Sequence, residues 1–373
     1  MRIVADENIP LVNECFGEMG EVVRLPGRDM TNADLQGADA LLVRSVTQVN
    51  ETLLHNTPVR FVGTCTIGVD HLDIDYLERQ GIAWSSAPGC NANSVVEYVY
   101  AALAHLDLDW LGKRVGIIGC GNVGGRLYQR LKAQGVECRV YDPFLSIEQV
   151  PDLTSLEAVL DSDVVCMHTP LTRSGPHPSY HLIGTRELQR LRPGAVLLNA
   201  GRGAVIDNQA LLAHLEAGAD LRVVLDVWEP EPDISRPLLA RVELGSPHIA
   251  GYSYDGKMQG TFMIYEALCR HLGRAPDKVL DALRPAVADP ERTLADGDVW
   301  SALKTLIPQV YAIAEDDQRL RALADRAERG EVDFAKGFDQ LRKQYPKRRE
   351  FNNYRVSGAS GEARARLNEL GFK

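Results

Sequence analysis

No apolar run in the 373-residue chain approaches the roughly 20 residues of a membrane span. The start, MRIVADENIP, has no basic segment followed by an apolar one, so a cytoplasmic address is expected. Basic charge is in deficit: 41 Lys and Arg stand against 51 Asp and Glu, a formal net charge of -10. That excludes a general duplex-binding surface, which needs a basic footprint, but not small anionic substrates. CxxC pairs are missing. The seven cysteines, Cys15, Cys65, Cys90, Cys120, Cys138, Cys166 and Cys269, are dispersed and odd in number. Reduced thiols fit that pattern better than a disulfide framework. No ligand cluster supports a metal site.

What is present is an ordinary globular composition, 45% hydrophobic and 25% charged, long enough for about two or three domains. Short apolar runs alternate with helix-compatible stretches: Arg2 to Ala5, Ala40 to Val43, Val59 to Val62 and Ile82 to Trp84. Pro88-Gly89 ends that series, and Asn91 to Leu106 reads as a long helix. A second series follows: strands at Arg114–Ile118, Cys138–Tyr141, Val164–His168, Ala195–Asn199 and Arg222–Val227, with helices between. Repeated strand–helix–strand units predict α/β architecture with a parallel, doubly wound sheet. The segment Gly260 to Leu272 should be helical and carry the chain back to the first domain. Beyond about Pro276 the composition changes. Short elements are expected at Leu280–Leu283, Val299–Leu306 and Val310–Ala314, the last two separated by Pro308. The basic run Arg342 to Arg349 reads as a solvated face or a partner contact.

A G-x-G-x-x-G motif is weak evidence in isolation, but here it follows the strand run VGII and opens a helix. Gly119 would make the tight turn, Gly121 would let backbone approach a diphosphate, and Gly124 would let helix and strand pack closely. Asn122 and Val123 begin the helix whose free N–H groups would face that anion. Asp142 lies about 20 residues on, at the end of the next strand, where a carboxylate holds a ribose diol. A 2′-phosphate there would be repelled, so NAD is favoured over NADP. Thr169 is either a cofactor contact or a turn hydroxyl before Pro170. Asp226 is either a carboxylate near the nicotinamide or a structural partner.

Hydride transfer from a 2-hydroxy acid needs a base, a cation for carboxylate and carbonyl oxygen, and an anion that orients the base. Three strand-end segments offer these: His248 in SPHIAG (246–251), Arg202 in NAGRGAVID (199–207) and Glu231 in LDVWEPEP (225–232). Together these motifs resemble the D-isomer-specific 2-hydroxyacid dehydrogenases, over roughly residues 1–275. The resemblance implies Arg202 as substrate-binding arginine, His248 as acid–base and Glu231, rather than Glu229, as its partner. It implies a Rossmann-type NAD domain at 91–249, a flavodoxin-like substrate domain at 1–90 plus 250–275, and a small α+β C-terminal dimerisation domain at 276–373.

Within the family, LLVRSVTQVN (41–50), FVGTCTIGVDHLD (61–73), VCMHTPLTRSGPHPSYHL (165–182) and PHIAGYSYDGK (247–257) resemble the members acting on 4-phospho-D-erythronate. That narrower likeness implies Ser45, Thr66 and Tyr252 at substrate and Asp142, Thr169, Asp226 and Gly251 at NAD. It also implies a homodimer, with a 2-oxo acid as a candidate electron acceptor. For the substrate phosphate the residues offer Arg44, with pairing to an acid as its alternative role. Competing readings are a dehydrogenase for 3-phosphoglycerate or a glyoxylate-type acid, and an NAD-sensing transcriptional corepressor on the same fold.

Overall fold

The computed structural model describes residues 1–373. The chain divides into two compact units, Met1–Asn91 with Ser253–Ala286, and Ala92–Tyr252 with Val287–Lys373. Residues 287–373 cluster with the second unit and 276–286 with the first.

The smaller unit is built on β1 (Arg2–Asp6), β2 (Glu21–Leu25), β3 (Ala40–Val43), β4 (Phe61–Thr64) and β5 (Ala83–Ser85). All pair in parallel, in the order β2-β1-β3-β4-β5, the flavodoxin-like order. The central strands β3 and β4 are buried throughout, as a sheet covered on both faces requires. Strand β2 had no clear signal because it is a half-exposed edge strand of mixed polarity, EVVRL. The helix Tyr254–His271 begins earlier than its apolar run suggested. Ser253 caps it, its hydroxyl accepting from the Gly256 amide at 2.8 Å.

The larger unit carries β6 (Arg114–Ile118), β7 (Glu137–Tyr141), β8 (Val164–Met167), β9 (Ala195–Asn199), β10 (Leu221–Leu225) and β11 (Leu244–Gly245). They are parallel, in the order β11-β10-β9-β8-β6-β7. Beyond β7 the sheet is extended by one isolated bridge, Val140 to Leu153. Counting that remnant as a strand gives the doubly wound dinucleotide order, with the direction of winding reversing between β6 and β8. Ligand sites in such sheets lie outside the carboxyl ends of the strands at that reversal.

Apolar strands and the helix Ala92–His105 explain the core. Thirteen of that helix's residues are buried, from Ala92 to Ala104. A helix apolar on every side needs cover on every side. The helices Asn122–Ala133, Val299–Val310 and Ile313–Glu328 supply it. The C-terminal region thus closes the core, with a small parallel pair, β12 (Glu291–Thr293) and β13 (Arg355–Ser357).

Two expectations are corrected here. Pro308 does not separate two elements: it sits in the last turn of Val299–Val310, where it gives up one amide bond to the carbonyl four residues back, and the helix ends two residues later. The basic run is not uniformly a solvated face. Arg348 is buried and pairs with Glu97 at 3.1 Å. All seven cysteines are free, and no helix is long and apolar enough to cross a membrane.

Candidate active site

The glycine turn after β6 has the geometry of a phosphate cradle. Gly119 has φ 87, a left-handed conformation that favours glycine, and a Cβ there would stand 2.8 Å from the Thr169 hydroxyl oxygen. Gly124 lies so close under the turn that a Cβ would fall 1.9 Å from the Gly119 carbonyl oxygen. Gly121 is the opposite case: nothing lies within 4 Å of its absent Cβ. It is the N-cap of Asn122–Ala133 and offers no side-chain cap, so the first amides of the helix, at Asn122 and Val123, are left for an anion.

Asp142 closes one side of the turn. Its Oδ2 accepts from the Cys120 amide at 2.8 Å and its Oδ1 from the Phe144 amide at 3.1 Å, with lone pairs to spare for a diol. Across the winding reversal, the Thr169 hydroxyl donates to the Ile118 carbonyl at 3.1 Å. Both ring nitrogens of the neighbouring His168 are enclosed without a protein partner. Burial lowers the pKa of His168 to about 4, so the ring is neutral. An open space over Gly121, uncapped amides and a free-sided carboxylate fit the diphosphate and ribose of a dinucleotide.

Two strand-end loops bring His248 and Glu231 together. His248 Nδ1 lies 2.8 Å from Glu231 Oε2. Burial pushes the Glu231 carboxyl up. The His248 hydrogen bond and charge, the Trp228 amide and Arg342 outweigh burial and leave it below its ordinary value. An ionised carboxylate only accepts, so Nδ1 carries the hydrogen and Nε2 is left with its lone pair. Glu231 is itself fixed, its Oε1 accepting from the Trp228 amide at 2.9 Å.

His248 sits at φ 56, unusual for a residue with a Cβ. Asp226 holds it there. The Asp226 carbonyl accepts the His248 amide at 2.7 Å. Its buried carboxylate accepts from Ser246 Oγ and the Ile249 amide, both at 2.7 Å, and from the Ala250 amide at 3.0 Å. Three of its acceptor sites are thus spent on the histidine turn, which ends at Gly251. Burial raises the Asp226 pKa against these contacts.

Arg202 follows β9 in a loop pinned by Asn199, which accepts from the Gly201 amide and donates to the Arg202 carbonyl, both at 3.0 Å. A Cβ on Gly203 would lie 1.8 Å from the Trp228 carbonyl oxygen, so the arginine loop is packed directly on the backbone that holds Glu231. A clamp not foreseen in the sequence joins the same loops. His181 donates its amide to the Ala204 carbonyl at 2.8 Å, and its Nε2 meets Glu229 at 2.9 Å. His181 Nδ1 lies 3.6 Å from Asp207. Only the fold brings these three side chains together. Local sequence carried no sign of it.

The remaining expected residues are more dispersed. Tyr252 packs edge-on to Tyr345, with centroids 5.9 Å apart. In the smaller unit, Ser45 follows β3, and Thr66 follows β4, its hydroxyl 2.7 Å from that of Thr64. Arg44 is engaged by the buried Asp6 at 3.0 and 3.2 Å, the pairing that was its alternative role.

A family model described as "D-isomer specific 2-hydroxyacid dehydrogenase, NAD binding domain" matches residues 97–250, and one for a domain of unknown function matches 285–371. The D-lactate dehydrogenase structure from Lactobacillus jensenii, solved with NAD+, aligns with TM-score 0.63 at 19% identity, covering 75% of this chain and 99% of that one. The fold is thereby that of this family, and full-length relatives give the class, an NAD-dependent dehydrogenase acting on a CH–OH group. Erythronate-4-phosphate dehydrogenase of Cellvibrio japonicus is 64% identical over 100% of both chains. That of Teredinibacter turnerae is 50% identical over 100% of this chain and 98% of its own. The chain belongs to the erythronate-4-phosphate dehydrogenase family, a branch of the D-isomer-specific 2-hydroxyacid dehydrogenases.

Proposed function

We propose that the chain oxidises 4-phospho-D-erythronate at C2 to (R)-3-hydroxy-2-oxo-4-phosphooxybutanoate, a step of vitamin B6 biosynthesis. The observation that carries the chemistry is the 2.8 Å contact between His248 Nδ1 and Glu231, which leaves Nε2 free as base. Bound NAD would supply the acceptor for the C2 hydride. His248 Nε2 takes the C2 hydroxyl proton, and Glu231 stabilises the imidazolium. Arg202 holds the substrate carboxylate and the developing carbonyl oxygen, a charge complement that strengthens toward the transition state. The reaction needs no covalent intermediate; placement of the groups supplies the rate.

The cofactor would be held by Gly119, Gly121, Asn122, Val123, Gly124, Asp142 and Thr169, with Asp226 and Gly251 shaping the nicotinamide end through the histidine turn. Ser45, Thr66 and Tyr252 would contact substrate. The working enzyme is a homodimer using the C-terminal region for assembly, and its free thiols suit a reducing, cytoplasmic compartment. The test is an assay of the purified protein with 4-phospho-D-erythronate and NAD, with a 2-oxo acid present to regenerate the oxidised cofactor. Substrate-dependent turnover is expected. Oxidation of other D-2-hydroxy acids without oxidation of this one would overturn the substrate, and a single-chain mass in solution would overturn the dimer.

A further inference from the structure

The substrate's phosphate carries nearly two negative charges at neutral pH, beyond the carboxylate that Arg202 serves. A guanidinium is the natural partner for such a group, but only if it is not already spent. Arg44 is held by two contacts from buried Asp6. Arg348 lies buried against Glu97 and Ser94. Arg342 is different. It stands in the last turn of the helix Phe334–Lys343, within the same compact unit as the acid–base pair. Its Nε is enclosed without an acceptor, and its nearest carboxylate, Asp339, is 3.7 Å from Nη1 and largely exposed. Its guanidinium lies 5.8 Å from the ring centre of Tyr252. Tyr252 directly follows the histidine turn, its amide donating to the Ile249 carbonyl at 2.7 Å. The charge of Arg342 is also felt at Glu231, where it favours the ionised carboxylate.

We infer that Arg342 reads the substrate phosphate: the C-terminal region delivers an under-partnered guanidinium beside the catalytic turn, with Tyr252 as its aromatic rest. This rests on the proposed function and gives residues 285–371, matched only as a domain of unknown function, a chemical task within the site. A role confined to completing the helix end would not distinguish phosphorylated from unphosphorylated acids.

The experiment compares wild type, Arg342→Ala and Arg342→Lys on 4-phospho-D-erythronate and on D-erythronate, each with NAD and excess 2-oxo acid. Arg342→Ala should lose about thirtyfold more in kcat/KM on the phosphorylated acid than on D-erythronate, the value of a charge-assisted contact, because the loss of its charge near Glu231 acts on both acids alike. Arg342→Lys should fall between, keeping charge without the fork. If the wild type prefers the phosphorylated acid and Arg342→Ala keeps that preference, Arg342 is not the reader, although the proposed function stands. If the wild type oxidises both acids equally, phosphate specificity fails, and the role of Arg342 with it. NAD affinity and thermal midpoint, measured on the same proteins, should be unchanged; loss of both together with equal losses on the two acids means a structural role and overturns the inference.

Discussion

Gly121 and Gly124 share one turn and one motif, and a single methyl should produce opposite results at each. In Gly124→Ala the new Cβ would lie 1.9 Å from the Gly119 carbonyl oxygen and 3.2 Å from Ile117 Cγ2. The first obstacle is backbone, so helix or turn must move by more than 1 Å to reach ordinary contact, roughly the 3.4 Å at which carbon meets oxygen comfortably. Overpacking of this kind costs about 1–3 kcal/mol, and more where the neighbour cannot rotate away. The free protein should melt roughly 2–6 °C below wild type. In Gly121→Ala the methyl meets nothing within 4 Å, and φ is -77, which any residue tolerates. Stability without cofactor should change by less than about 0.5 kcal/mol. The methyl would stand where the helix amides face the diphosphate, so the Kd for NAD should rise at least about tenfold. Thermal melts without NAD, and titration calorimetry with it, separate the two. A destabilised Gly121→Ala, or one that binds NAD normally, would refute the cradle, as would an unperturbed melt for Gly124→Ala.

Other expectations follow from the same geometry. Glu231→Gln keeps the size but not the charge beside His248 and should lower kcat about a hundredfold or more with NAD affinity retained, by stopped-flow turnover and cofactor titration. Asp226→Ala strands the Ile249 and Ala250 amides and leaves the Ser246 hydroxyl only that of Tyr98, 2.8 Å away; a loss of about 2–4 kcal/mol in denaturant melts is expected, together with loss of turnover. Arg44→Ala leaves Asp6 buried without its cation and should cost about 3–5 kcal/mol of stability, read by urea unfolding. Burial raises the pKa of Asp316 to about 6. Its folded value lies above its unfolded one, so its contribution to stability is present below about pH 4 and is lost as pH rises toward 6. Asp316→Asn should therefore gain on wild type, by about 1–3 kcal/mol, between melts at those two pH values.

The parallel sheets were legible because their strands are short, apolar and buried on both faces, as in ALLV of β3 and RVGII of β6. Elements that lack such a face were not. Strand β2 is a half-exposed edge, and β12 and β13 carry polar residues on a small exterior sheet. The tight glycine turn, the Asp142 contact to it and the pairing of Glu231 with His248 were anticipated because each proposed role asks for a residue type at a fixed offset from a strand end. Arg44 illustrates what such offsets omit: the position after β3 was right for a cation, but its partner, Asp6, is 38 residues away. The clamp of His181 with Glu229 and Asp207, the buried Arg348 pair and the approach of Arg342 to Tyr252 all join distant segments, which only the folded chain brings together.

The most direct test of the chemistry is single-turnover nicotinamide absorbance with the NAD-loaded protein and 4-phospho-D-erythronate, in wild type and His248→Gln. Wild type should reduce one cofactor per site, while His248→Gln should bind NAD equally well and reduce it at least about a thousandfold more slowly. Equal rates in the two proteins would contradict a mechanism in which His248 takes the proton.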